Sequence, residues 1–257
     1  AAGSLLATGL IIVGGILGSV SWHGPFAMYA LAIPIFLAAL RLTWEPEPAA
    51  EKVQDGSQKA ADAPFPVAAM LLVYSVSIFG SIIFFVEVLQ LGVVMNAIGK
   101  TSPDVIGFVT AGTGFALPFG AYLLSRLKTL RIGYVFALAL AFFMASFLLL
   151  ARSQTLMGVI WGACLAQFAC GITFPLLITW AQSKLHFGVR AFGMGLWTSC
   201  FFIGQFASTM LVSYLSQTSG GIAGAMQWLA IVCAIALPVS VLGEAMTGRS
   251  IAAKAAH

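Results

Sequence analysis

The stretch WEPEPAAEKVQDGSQKAADAPF, residues 44–65, decides how the rest of the chain is read. It is rich in proline, alanine and charge and has no apolar period, which is the composition of a hydrophilic linker. On both sides of it the sequence changes character. Apolar residues make up 60% of the 257-residue chain and charged residues only 8%, against about 25% in soluble domains. A soluble fold of this size could not cover that much apolar surface, whereas a bilayer solvates it directly.

Outside the linker the apolar residues come in long blocks with the charges between them. A helix needs roughly 20 mostly apolar residues to cross the hydrocarbon core. Backbone facing lipid must satisfy its own hydrogen bonds, so the blocks predict helices. The roughly 10-residue alternating segments of an outer-membrane barrel do not occur. Eight spans are predicted, at about 2–20, 25–43, 66–95, 103–125, 130–150, 155–182, 190–215 and 224–247. The linker splits them into two and six. Ser102-Pro103-Asp104 offers a capping hydroxyl, a proline at the first helical position and an acid in the first turn. Pro34, Pro118, Pro175 and Pro238 fall inside spans and predict kinks.

Lysine and arginine set the orientation. With eight spans, one side receives 10 basic residues and the other only Lys100 and Arg152, out of 12. The basic side is the cytoplasm, so the linker 44–65 and the tail 248–257 are expected there. The net charge of +4 is therefore a matter of topology and not a nucleic acid footprint. Cys164, Cys170, Cys200 and Cys233 lie in apolar blocks without CxxC spacing and read as small packing residues. His23, His186 and His257 fall in an outer loop, an inner loop and the tail, so no metal site is expected. No P-loop, dinucleotide fingerprint or nucleophile–base set is present, so no cofactor is expected and no ATP-driven pump is encoded.

Polar side chains are unevenly shared. In the last six spans they concentrate in the first, second, fourth and fifth, and the third and sixth are nearly bare. Polar groups facing lipid are costly, so polar spans should turn towards a bundle interior or an aqueous cavity. The polar–polar–apolar repeat points to a structural duplication of the kind found in transporters. The competing reading is that serine and threonine simply glue helices together.

Several residues are candidates for a solute or proton pathway. Glu87 is the one acid well inside a polar span, and intramembrane carboxylates serve proton relays. It also lies about 32 Å along a helix starting near Pro66, at the outer boundary of a core roughly 30 Å thick, which reads as an interfacial carboxylate. It points away from the Tyr74–Ser77–Ser81 face. Thr198, Gln205 and Thr209 share a face of the seventh span; with Thr110, Thr113 and Gln167 they either line a cavity or make interhelical hydrogen bonds. Arg126, Arg131 and Arg190 lie in cytoplasmic loops, either as an inner gate or as topology anchors.

The chain resembles the major facilitator superfamily, in particular bacterial permeases that export sugars or drugs. The likeness rests on GGILGSVSWHGPF (Gly14–Phe26), TSPDVIGFVTAGTGF (Thr101–Phe115), FGAYLLSRLKTLRIG (Phe119–Gly133) and VRAFGMGLW (Val189–Trp197), which occur in the family's order and spacing. The resemblance implies an all-α polytopic bundle. Residues 1–43 are then the last two helices of an N-terminal bundle, 44–65 the central cytoplasmic linker, 66–247 the C-terminal six-helix bundle and 248–257 a cytoplasmic tail. The sequence would be a C-terminal fragment, helices five to twelve, since it starts directly in a span at Ala1. The implied function is secondary active transport of a drug, sugar or other small organic solute by alternating access, coupled to protons, in the inner membrane, with the complete protein a monomer. The chain departs from the family's Gly, Asp-Arg, Gly-Arg loop signature, of which only Arg126 matches, and its fifth helix keeps Gly9, Gly14 and Gly15 without a proline. A membrane-embedded enzyme or receptor subunit is the alternative. An enzyme should show several converging acids, histidines or cysteines at one depth.

Overall fold

The computed structural model describes residues 2–21, 23–42, 65–99, 102–127 and 130–255, with side chains described for 9–21, 23–42, 65–99, 102–127 and 130–245. The linker 44–65 therefore lies outside the described residues except for Phe65, as do the side chains of the tail.

Every regular element among the described residues is helical. Helix α1 spans Ala2–Val20. A 3₁₀ stretch, Gly24–Leu31, opens with Pro25 and runs into α2, Ala32–Leu42. There follow α3 (Val67–Ala97), α4 (Pro103–Gly114), α5 (Ala116–Arg126), α6 (Ile132–Arg152), α7 (Leu156–Ser183), α8 (Phe187–Thr218) and α9 (Ile222–Ala255). Among the described residues, seven spans are long and apolar enough to cross a membrane: Gly24–Leu42, Val67–Ala97, Pro103–Arg126, Ile132–Arg152, Leu156–Ser183, Phe187–Thr218 and Ile222–Ala245. The first predicted span corresponds to α1, whose described side chains cover the shorter apolar stretch Gly9–Val20. The protein is a multi-pass α-helical membrane protein.

Local chemistry explains most helix ends. Thr155 caps α7 by accepting from the Gly158 N–H at 3.3 Å. Gly99, at φ +77°, stops α3 by taking the left-handed conformation that a side chain would disfavour. At α4 the proline occupies the first turn, but the Ser102 hydroxyl donates to the Asp104 carboxylate and does not cap the backbone. Of the four prolines expected to kink helices, Pro118 follows a break at Phe115 between α4 and α5, and Pro34 follows the change from 3₁₀ to α geometry. Pro175 and Pro238 lie inside uninterrupted helices.

The helices pack in pairs: α3 with α8 and α7, α6 with α7 and α9, α5 with α7, and α1 with α4. Hydrophobic association is weak in lipid, so close backbone approach at small residues drives such crossings. A Cβ on Gly120 would fall 2.0 Å from the Phe168 carbonyl oxygen, and one on Gly171 would fall 2.0 Å from that of Leu117. Helices α5 and α7 thus touch backbone to backbone. A Cβ on Gly204 of α8 would overlap the Ser81 hydroxyl of α3, and Gly15 of α1 meets Gly107 of α4 backbone to backbone. The polar census maps onto burial only partly. Apolar α6 is more than half buried, between α7 and α9, whereas polar α8 is buried over about a quarter of its span. A bare sequence therefore marks a helix with few polar neighbours, whether those neighbours are lipid or other helices.

Candidate functional site

Five of the chain's eight acids lie in the linker, which leaves Glu87, Asp104 and Glu244. Glu87 sits on α3 and is 1% exposed. The α3 helix is longer than a bilayer requires and continues ten residues past Glu87 to Ala97, so distance from Pro66 does not measure membrane depth. The Gln167 Nε2 donates to Glu87 Oε2 at 2.8 Å, and Gln167 is eleven residues after the start of α7 and sixteen before its end. The carboxyl is thus held near mid-helix of α7, inside the bundle. Its second oxygen, Oε1, is buried with no hydrogen-bond partner among the described residues. Cys170 approaches one turn away, its thiol 3.6 Å from the Phe84 carbonyl oxygen.

Two faces of α3 have separate tasks. Tyr74 donates to the Gly193 carbonyl at 3.0 Å, and Trp197 Nε1 donates to Ser77 Oγ at 2.8 Å, with Gly193 and Trp197 both on α8. The Tyr74–Ser77–Ser81 face is therefore the seam with α8. Glu87 points away from it, as the helical period requires, and so turns towards α7. For an interior helix, leaving one neighbour means meeting another. Next to the pair, Phe84, Phe85, Phe174, Trp197 and Phe201 form an aromatic cluster, with ring centroids 4.9 Å apart for Phe84 and Phe85 and 5.2 Å for Trp197 and Phe201. Phe174 leaves 40% of its surface outside it. Replacing Trp197 with Phe keeps the ring stack and removes the donor to buried Ser77. The thermal unfolding midpoint in detergent should fall by the equivalent of about 1 to 2 kcal/mol.

The other sequence candidates lie elsewhere. Thr113 is buried and Thr110 half-buried on α4, and both hydroxyls donate to carbonyls of their own helix, at Val109 and Ile106. On α8, Thr198 is exposed and donates to the Met194 carbonyl, while Gln205 is half-buried. The Glu87 carboxyl has its side-chain hydrogen bond from Gln167. Arg126 stacks over Tyr122 one turn earlier, 5.1 Å from its centroid, and Arg190 reaches the Leu185 carbonyl at 3.4 Å.

Arg131 has a partner that the sequence does not reveal. Glu244, near the end of the eighth span, lies 4.0 Å from Arg131 and accepts the Gly133 N–H at 3.0 Å. Ser240 donates to the Gly133 carbonyl at 2.8 Å. These contacts clamp the start of α6 to α9. The ion pair is partly exposed and contributes little, whereas the backbone N–H satisfied by Glu244 matters more. Glu244→Ala should cost about 1 to 2 kcal/mol and Arg131→Ala less than about 0.5 kcal/mol, read as paired unfolding midpoints. The signal in the sequence is an acid closing one apolar span and an arginine opening another, but nothing local aligns Glu244 with Gly133 across 111 positions.

A helical membrane bundle with a carboxyl and an amide paired in its interior has the ingredients of a solute carrier. Comparison with known families agrees with that class. The chain belongs to the Major Facilitator Superfamily, whose family model matches residues 1–209, from α1 well into α8. Members of this family transport small solutes across membranes and are not enzymes. No curated protein and no solved structure matched the chain.

Proposed function

We propose that the chain is the α1–α9 portion of a secondary active transporter that moves a small organic solute, a drug or a sugar, out of the cell by alternating access coupled to protons. Glu87 exchanges the proton, and Gln167 holds the Glu87 carboxyl in place by donating to it. Thr110, Thr113, Thr198 and Gln205 face the solute pathway from α4 and α8. The linker and the C-terminus lie in the cytoplasm, beneath the inner membrane, and the complete transporter works as a monomer. Arg126, Arg131 and Arg190 form the cytoplasmic gate only by exchanging their present partners for acids or carbonyls across the cleft.

The observation that carries this reading is the Glu87–Gln167 pair in the bundle interior, with Oε1 unpartnered among the described residues. Ionised carboxylates buried without a cation are costly, so the charge on such a group is linked to whether water reaches it. Alternating access changes water exposure, and that linkage is what ties proton movement to solute movement. The test uses the complete transporter, of which this chain is the proposed portion, in proteoliposomes with a pH-sensitive dye trapped inside, and ethidium and arabinose as probes. Solute-dependent proton movement with either is expected. Solute uptake with no accompanying proton movement would remove the coupling.

A further inference from the structure

A cavity of about 140 Å³ opens between α3, α6 and α9 at the end of the bundle far from the linker. Val94, Ile98, Leu150 and Met226 give it apolar walls, and Ser153 and Gln154 supply polar side chains. It has room for several waters. Three helix ends meet there: α3 stops at Ala97, α6 stops at Arg152 and α9 starts at Ile222. Backbone groups at helix ends lack intrahelical partners, so water in the cavity finds donors and acceptors beyond the two side chains. Gln154 and the neighbouring Arg152 are exposed.

The α3 wall of this cavity is the face that carries Glu87. Glu87, Gln90, Val94, and Ala97 with Ile98 recur every three or four residues, which places them on one side of the helix. At 1.5 Å per residue, Val94 stands about 6 Å beyond Gln90, and Gln90 about 4.5 Å beyond Glu87. Gln90 is buried, and its side chain makes no hydrogen bond among the described residues. It keeps 8% of its surface, against 0% for Val86 and 2% for Leu91 on either side. The Glu87 Oε1 is also buried without a partner among the described residues. Buried polar groups are normally satisfied by protein or by water, and here two unsatisfied ones follow each other towards a cavity with polar groups at its rim. Glu87 is the one charged residue among the buried side chains of the described chain. The titratable groups beside it are the thiols of Cys164 and Cys170 on α7.

We infer that protons reach Glu87 from the side of the membrane opposite the linker through the interior of the α3–α9 bundle, by way of this cavity and the Gln90 amide. The inference rests on the reading of Glu87 as the coupling carboxyl. It gives proton and solute separate paths: the solute passes along α4 and α8, and the proton along the face of α3 that meets α6 and α9.

The test uses the complete transporter with Cys164, Cys170, Cys200 and Cys233 replaced, in sealed vesicles that hold the linker inside. Single cysteines at Val94, Gln90 and Ile83 lie beyond and below Glu87 on α3, and all three positions are buried. Silver ion, which is close to water in size and does not cross lipid, is added outside and read as loss of later alkylation. Val94→Cys and Gln90→Cys should react and Ile83→Cys should be spared. Ala97→Phe and Ala223→Phe narrow the cavity from α3 and α9, at positions exposed enough to take the larger ring. Each should slow the reaction of Gln90→Cys roughly tenfold, and proton movement started by an outside acid step by a similar factor, as a modest rise in barrier requires. Solute counterflow, which needs no net proton movement, should keep its rate. Reaction of Gln90→Cys that bound solute blocks and neither phenylalanine slows would overturn the inference, because access would then come from the solute path. Equal reaction of Ile83→Cys would overturn it too, since the water would not end at the carboxyl. Glu87→Gln, measured alongside, tells the two failures apart. If it abolishes the pH response while both phenylalanine variants conduct protons at full speed, the route alone is wrong. If it leaves the pH response intact, the coupling role of Glu87 is wrong and the route falls with it.

Discussion

Replacing Glu87 with Gln should bring uptake driven by an imposed pH gradient down to the level of protein-free vesicles, with expression and stability almost unchanged. The two halves of this expectation have separate causes. An amide is nearly isosteric with a carboxyl, and its oxygen can accept the same 2.8 Å hydrogen bond from Gln167. The packing of α3 on α7 is preserved, and the stability change should stay below about 1 kcal/mol. The amide cannot exchange a proton, so a coupling function goes entirely. Glu87→Ala makes the contrast. It leaves the Gln167 amide buried without its acceptor and opens a void beside Cys170, and both effects destabilise, together by about 2 to 3 kcal/mol. A reconstituted E87Q protein that still responds fully to a pH gradient would reassign the pair to packing.

The second large effect is expected at the crossing of α5 and α7. Gly120→Leu or Gly171→Leu would place side-chain carbon at 2.0 Å from a backbone carbonyl oxygen. A carbonyl in a helix cannot rotate away, so the helices must part along their length. Overpacking of a tight core costs about 3 kcal/mol, and this crossing is also what holds α5 to the bundle. The measurement is the unfolding midpoint in an SDS titration. Gly112→Leu and Gly114→Leu are the controls: nothing lies within 4 Å of a Cβ there, and they should change the midpoint much less. Equal losses at all four positions would contradict this account, because leucine is the better helix former and propensity alone would raise the midpoint.

The helices are legible in the sequence because lipid imposes a length, and runs of about 20 apolar residues have few other uses. Boundaries are sharp where chemistry marks them, as at Pro103, Thr155 and Gly99. Partners are harder to read. Glu87 and Gln167 each stand out as a polar group in an apolar helix, but they lie 80 positions apart, and helical periodicity says which way a side chain points only relative to its own helix. Whether Glu87 meets lipid, water or another helix depends on the arrangement of α7 about α3. The same limit hides Glu244, whose acceptor role is to a backbone N–H that no composition reveals. The serines of α3 are natural candidates for a polar lining, yet Ser77 is a hydrogen-bond partner of Trp197 in a seam between helices. Thr110 and Thr113 spend their hydroxyls on their own helix. Hydroxyl content alone does not separate glue from lining, because both need the same chemistry.

The central claim concerns the solvent that each helix face meets, and thiol accessibility reads this most directly. Single cysteines at Thr198 and Gln205 of α8, and at Ile235 and Val239 of α9, are compared in native membranes with a membrane-impermeant thiol reagent. Thr198, Ile235 and Val239 are all exposed on the described chain, so only the medium around them differs. The α8 positions should be labelled and the α9 positions spared. Labelling of Ile235 and Val239 with protection of Thr198 and Gln205 would contradict the account, because water would then lie on the apolar side of the bundle.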